Sequence, residues 1–221
     1  MDGAPVAVAT RVVLWSEPNG FRATKYGERR GEVRQIVLHY DAAGTSAQCF
    51  KVLERRGLSC HFLVDLDGTV YQTVDTSARA YQAGTFNDGS VGIEIANVGA
   101  YAKREEVERL HPIPPGVARP AYVPPPARRG PLRGRIHGTD LWQHDYTDAQ
   151  YEALGHLVAA LCGALDIPAQ APREAGVLPS PAAWHGIVGH YHLTTDKLDP
   201  GPAFDWDRFL GLVRANLAPA P

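Results

Sequence analysis

Ser59-Cys60-His61-Phe62-Leu63-Val64-Asp65-Leu66-Asp67-Gly68-Thr69-Val70-Tyr71-Gln72-Thr73-Val74 holds two β-prone runs around an Asp-Gly pair. An Asp-Gly flanked in this way is a strong hairpin signal. The period of two places His61 and Leu63 on one face and Phe62 and Val64 on the other. Upstream, Gln35-Ile36-Val37-Leu38-His39-Tyr40 is a short β-branched run of the buried-strand kind; downstream, Ser90-Val91-Gly92-Ile93-Glu94-Ile95-Ala96 is another strand. A further strand is expected over residues 10–15. Thr45 or Ser46 caps a helix through about Arg56, with Phe50 and Leu53 inward and Gly57 placed to end it. Thr147-Asp148-Ala149-Gln150 is a capping-box sequence. It opens a helix whose Tyr151, Leu154, Leu157, Val158, Leu161 and Leu165 recur at three- and four-residue spacing, ended by Asp166-Ile167-Pro168. The last helix, about 205–217, is expected to bury Trp206, Phe209, Leu210, Val213 and Leu217. Strands and helices mixed in this order, with a hairpin in the middle, predict an α/β or α+β fold with a central mixed sheet flanked by helices.

A chain of 221 residues suits one domain, here expected to run over 1–221. The net charge of −2 gives no electrostatic case for nucleic acid or membrane surfaces. Three cysteines, an odd number without a CxxC pair, argue against a disulfide framework and for small buried hydrophobes. No stretch approaches the ~20 apolar residues of a transmembrane segment. Residues 1–5 lack the basic and apolar regions of a signal peptide. The expectation is therefore a cytoplasmic protein, with export through a removed leader as the alternative. From about 101 to 136, eight prolines from Pro112 to Pro131 and seven arginines from Arg104 to Arg135 interrupt the pattern. Repeated proline predicts an inserted loop without regular structure, bordering the functional groove because it follows the Glu94 strand. The aromatics that would stack bases are sparse there, which disfavours a nucleic-acid role.

The chemistry gathers near the C-terminus. Gly189-His190-Tyr191-His192-Leu193-Thr194-Thr195-Asp196-Lys197-Leu198-Asp199 packs two histidines, two aspartates and a lysine into a short span. Imidazole and carboxylate together are what zinc takes when one coordination position stays open for water, but a third ligand is needed. His39 closes a buried strand, a usual place for a site residue, although a lone histidine there also fits a structural role. Glu94 is costly in the middle of an apolar strand unless paired or functional, and Gly92 is expected to leave open space beside it. An edge-strand glutamate facing solvent is the alternative. The chain has no His-Glu-x-x-His sequence, the common metalloprotease pattern.

In order, Val37-Leu38-His39, the hairpin, Val91-Gly92-Ile93-Glu94-Ile95 and Gly189-His190 with Lys197-Leu198-Asp199-Pro200-Gly201-Pro202-Ala203-Phe204-Asp205-Trp206 resemble one family. It is the type 2 class of zinc-dependent N-acetylmuramoyl-L-alanine amidases, which includes phage lysozyme-amidases, bacterial muropeptide amidases and animal peptidoglycan recognition proteins. The resemblance covers about residues 33–210 and implies a single domain with zinc in a surface groove. It makes His39, His190 and Asp199 the zinc ligands, with His192 a rival to His190, and Lys197 the oxyanion stabiliser. Cys60 stands where one branch of the class has a catalytic tyrosine. Glu94 and Asp199 match the other branch, with Glu94 as proton shuttle. Tyr40, His61, Gln82 and Asn97 are carried over as substrate contacts; Gln82 stands where many members have histidine. The implied activity is hydrolysis of the amide between N-acetylmuramic acid and L-alanine in peptidoglycan or muropeptides. The alternative is a non-catalytic peptidoglycan-binding sensor of the same fold.

Overall fold

The computed structural model describes residues 10–217. The ends of the expected 1–221 domain, residues 1–9 and 218–221, lie outside the described residues. The strands are β1 (Val12–Leu14), β2 (Gly27–Glu28), β3 (Gln35–Tyr40), β4 (Phe62–Val64), β5 (Val70–Gln72), β6 (Ala78–Arg79), β7 (Ser90–Ile95), β8 (Pro131–Ile136), β9 (Thr139–His144) and β10 (Gly186–Gly189). The helices are α1 (Ser46–Arg56), α2 (Arg104–Leu110), α3 (Asp148–Leu165) and α4 (Trp206–Asn216). A six-stranded sheet in the order β1-β5-β4-β7-β3-β10 forms the centre. Among the described residues its one antiparallel pair is β4–β5, the hairpin; β4, β7, β3 and β10 run parallel to one another. The mixed sheet expected from the hairpin is therefore the sheet observed.

Alternation along the strands sorts the two faces. Ile36, Leu38, Phe62, Val64, Val91, Ile93 and Ile95 pack with Tyr151, Leu154 and Val158 of α3 and Phe209 and Val213 of α4. Leu63 and Cys60 turn the other way, onto Cys49 and Leu53 of α1. Helix ends follow the local sequence. Thr45 accepts from the Gln48 amide, and Gly57 ends α1 in the left-handed region at φ 67°. Thr147 and Gln150 complete the capping box of α3. Asp205 caps α4, in which Phe209, Leu210 and Val213 are buried while Trp206 is half-buried.

The 101–136 segment departs from expectation. It contains α2 and β8, and β8 pairs with β9 through a tight turn at His137-Gly138, both with positive φ. Pro131 opens β8 at Leu132-Arg133-Gly134-Arg135, where proline is tolerated because it leads the strand. Only about 111–130 is irregular. Its ends are tied by the stacked rings of His111 and His144 (3.6 Å) and by Arg128 on the buried Asp145 (2.7 Å). Nor does the segment border the groove described below: none of residues 101–136 lines it.

Candidate metal centre

The parallel strands β7, β3 and β10 lie side by side and end at the same sheet edge. That is where open sheets of this kind place their ligand sites. Register sets His39 of β3 directly beside Glu94 of β7. Both side chains leave the face opposite the Leu38 and Ile93 core. Gly189 closes β10 beside Leu38, so the next residue, His190, emerges next to His39. Asp199 arrives from the following loop, held by a hydrogen bond from the Tyr191 amide to its carbonyl (3.1 Å).

The three side chains converge. Nδ1 of His39 lies 2.7 Å from Oδ2 of Asp199, and Nδ1 of His190 lies 3.0 Å from the same oxygen. The two rings meet edge to face at 4.6 Å. All three residues are buried, and their ligand atoms lie within 4.8 Å of one another. Burial alone would raise the Asp199 carboxyl, but contacts with the two imidazoles hold it well below the usual carboxylate range. A carboxylate kept ionised between two imidazole nitrogens is a donor set able to hold a metal ion. His192, the rival ligand, is committed elsewhere. Its Nδ1 accepts from the Gly189 amide (2.9 Å), and its Nε2 donates to the Glu174 carbonyl (2.9 Å).

His39, His190 and Asp199 line a groove of about 320 Å³ together with Tyr40, Gln82, Glu94 and Lys197. Glu94 is half-buried as a residue, yet its Oε2 is sealed from solvent without a hydrogen-bond partner. Burial raises its carboxyl to about 7, against the pull of His39. The strand is interior to the sheet, which removes the edge-strand reading of Glu94. The space beside Gly92 is not open. A Cβ there would meet Gln82 Cγ and Cδ at 2.7 Å and Cys60 Sγ at 2.9 Å.

His61 and Asn97, expected as substrate contacts, are not in the groove. His61 is fully buried, accepts from the Gly92 amide at Nδ1 (3.0 Å) and faces the Ala78 carbonyl at Nε2 (3.2 Å). Burial lowers it to about 4, so it stays neutral behind the sheet. Asn97 is buried, with its amide donating to the His144 carbonyl (3.1 Å) and its oxygen accepting from the Gly99 amide (2.9 Å). Both were carried over from the resemblance, which aligns positions along a strand but does not say what covers its face. Conversely, Asp41 and Arg56 line the groove and carried no sequence signal of their own. The Asp41 Oδ1 accepts from the amides of Ala43, Gly44 and Asn97, joining the turns after β3 and β7.

Residues 29–202 match the family model described as N-acetylmuramoyl-L-alanine amidase. The chain belongs to that family. The 1,6-anhydro-N-acetylmuramyl-L-alanine amidase AmpD of Salmonella typhimurium is 30% identical over 157 residues, covering 71% of this chain and 57% of that protein. The match thus spans little more than half the length of that relative. Among solved structures, the N-acetylmuramyl-L-alanine amidase AmiD from E. coli aligns with a TM-score of 0.54 at 20% identity, over 81% of this chain and 57% of that one. The amidase LysC from Clostridium intestinale aligns at 0.53 and 16% identity, over 95% and 98%. At these identities the two structures speak for the fold alone. The family membership bears out the resemblance read from the hairpin and the C-terminal motif.

Proposed function

We propose that this chain is a zinc-dependent amidase that hydrolyses the bond between N-acetylmuramic acid and L-alanine in muropeptides. The observation that carries the reading is the unpartnered, sealed carboxylate oxygen of Glu94, set on the adjacent strand beside a three-ligand cluster in one groove. Substrate class is inferred from the relatives: the AmpD proteins are named for the 1,6-anhydro form, and AmiD was solved with an anhydro-N-acetylmuramic acid tripeptide.

His39, His190 and Asp199 would hold the metal, and the chemistry supplied there by bound zinc is Lewis-acid polarisation of the amide carbonyl and acidification of water. Glu94 takes a proton from the attacking water as its oxygen adds to the carbonyl carbon. It returns that proton to the alanine nitrogen as the carbon–nitrogen bond breaks, leaving a free carboxylic acid and a free amine. Its place on the strand beside His39 suits both halves of that exchange. Lys197 sits half-buried in the groove wall, where its ammonium opposes the negative charge that develops on the carbonyl oxygen. Tyr40 lines the same groove. Cys49, Cys60 and Cys162 are free and buried, in keeping with a reducing compartment such as the cytoplasm. No helix among the described residues is long and apolar enough to cross a membrane.

Incubation of the zinc-loaded protein with a defined anhydro-muropeptide tests the reading. Mass spectrometry should find the free stem peptide with a new amino terminus. Intact muropeptide after prolonged incubation, with zinc bound at one per chain, would reduce the protein to a binding module.

A further inference from the structure

We propose that Gln82 and Ser90 form a two-link relay that fixes the tautomer of His39 and so decides which ring nitrogen would face a bound metal. This rests on His39 being a metal ligand, as set out above. The relay is read from its far end. Ser90 is fully buried, and its hydroxyl donates to the Phe86 carbonyl (2.8 Å). A hydroxyl has one proton, so toward Gln82 the Ser90 oxygen can only accept. The Gln82 amide nitrogen donates to it at 2.8 Å. That turns the amide oxygen of Gln82 toward His39, where it lies 2.6 Å from Nε2. An amide oxygen only accepts, so Nε2 must carry a proton. In a neutral imidazole the other nitrogen then presents its lone pair. That nitrogen is Nδ1, the atom directed at Asp199 beside His190 Nδ1.

The surroundings are built for this side chain. Asn87 Oδ1 accepts from the backbone amides of both Gln82 and Ala83 (3.0 and 2.7 Å), which pins the turn that carries Gln82. Opposite it, Gly92 supplies the slot, since any Cβ there would sit 2.7 Å from Gln82 Cγ and Cδ. Both ends of the amide are thereby engaged, so Gln82 acts through His39 as a positioning residue, whatever else its exposed edge touches. A neutral acceptor also spares the groove a further negative charge beside Glu94 and Asp199. Loss of a partner of this kind typically costs about 10–100-fold in metal affinity.

The test is a metal titration that needs no turnover. Metal-free full-length protein is titrated with Zn²⁺ against a competing chelator, and with Co²⁺ followed by its visible absorption. Gln82→Met keeps the length and loses the acceptor, and should weaken Zn²⁺ about 10–100-fold. Ser90→Ala leaves Gln82 in place but frees its amide, and should weaken binding in the same direction. Gln82→Glu keeps an acceptor at the same reach and should hold affinity close to or above the parent. Nitrogen NMR of the zinc-loaded parent should show His39 protonated at Nε2. Ser90→Ala within about threefold of the parent, or Gln82→Glu losing as much as Gln82→Met, would overturn the relay and leave Gln82 a filler of the Gly92 slot. A parent protein that binds neither metal would instead overturn the metal-site reading on which the relay stands.

Discussion

Glu94 carries a cost that can be measured separately from its chemistry. Its ordinary pKa is 4.5 and burial lifts it to about 7 in the metal-free fold. For an acid raised on folding, the folded state favours the protonated form. Its relative stabilisation is complete below about 4.5 and is lost as pH rises through about 7, where the buried carboxylate must ionise. Glu94→Gln should therefore stabilise the metal-free protein by about 2 kcal/mol more at pH 8 than at pH 5, read by urea unfolding at both values. The same variant should retain zinc and lower turnover about 10²–10⁴-fold. Turnover above a tenth of the parent would move the proton shuttle to another group, and buried His61, bonded to the Gly92 amide, cannot be that group. Lys197→Ala should keep fold and zinc while kcat falls roughly 10²–10³-fold; an unchanged kcat would make that lysine a surface charge.

At the scale of elements, the site depends on how helices and turns are tied to the sheet. The Thr147 hydroxyl caps α3 by accepting from the Gln150 amide, and it also donates to the Leu66 carbonyl in the hairpin turn (2.7 Å). One side chain thus joins the start of α3 to the β4–β5 hairpin. Thr147→Ala removes the cap and leaves the Leu66 carbonyl without that donor, so the loss should exceed an ordinary cap deletion and reach about 2–3 kcal/mol. Thr147→Ser should recover most of it, since the hydroxyl is kept. A loss below about 1 kcal/mol in urea titrations would mean that water takes over both bonds.

For the whole molecule, the His39-His190-Asp199 group draws together the sheet edge and the loop after β10, and a metal held there would link them. His39 lies in β3, His190 directly follows the adjacent strand β10, and Asp199 comes from the loop beyond it. Zinc bound only by the folded chain should stabilise it by about 2.7 kcal/mol at a hundredfold excess over its dissociation constant. For a domain of this size that is a rise in Tm of about 5–10 °C. Stripping zinc with a chelator should reverse the shift. Asp199→Ala should show almost none on re-addition; a full shift in that variant would remove Asp199 from the ligand set.

Much of this was legible in the chain. Local patterns decide hairpins, caps and strand faces, because turn chemistry and side-chain alternation act over a few residues. So the β4–β5 hairpin, the capped helices α1 and α3 and the opposed faces of Phe62 and Leu63 could be read directly, and the His39, Glu94, His190 and Asp199 positions were recognisable from motif order. The 101–136 segment misled because proline density masks strand and helix signals that tertiary contacts override. β8 exists because it has β9 to pair with, and the His137-Gly138 turn was the overlooked local cue. Nothing in the chain could say that His61 faces Ala78 rather than the groove, that Asp41 lines it, or that Gln82 fills the space over Gly92 to reach His39. Those facts depend on which distant segments cover a given strand face. A hydrogen-bond partner 43 residues away is fixed only when the sheet has assembled.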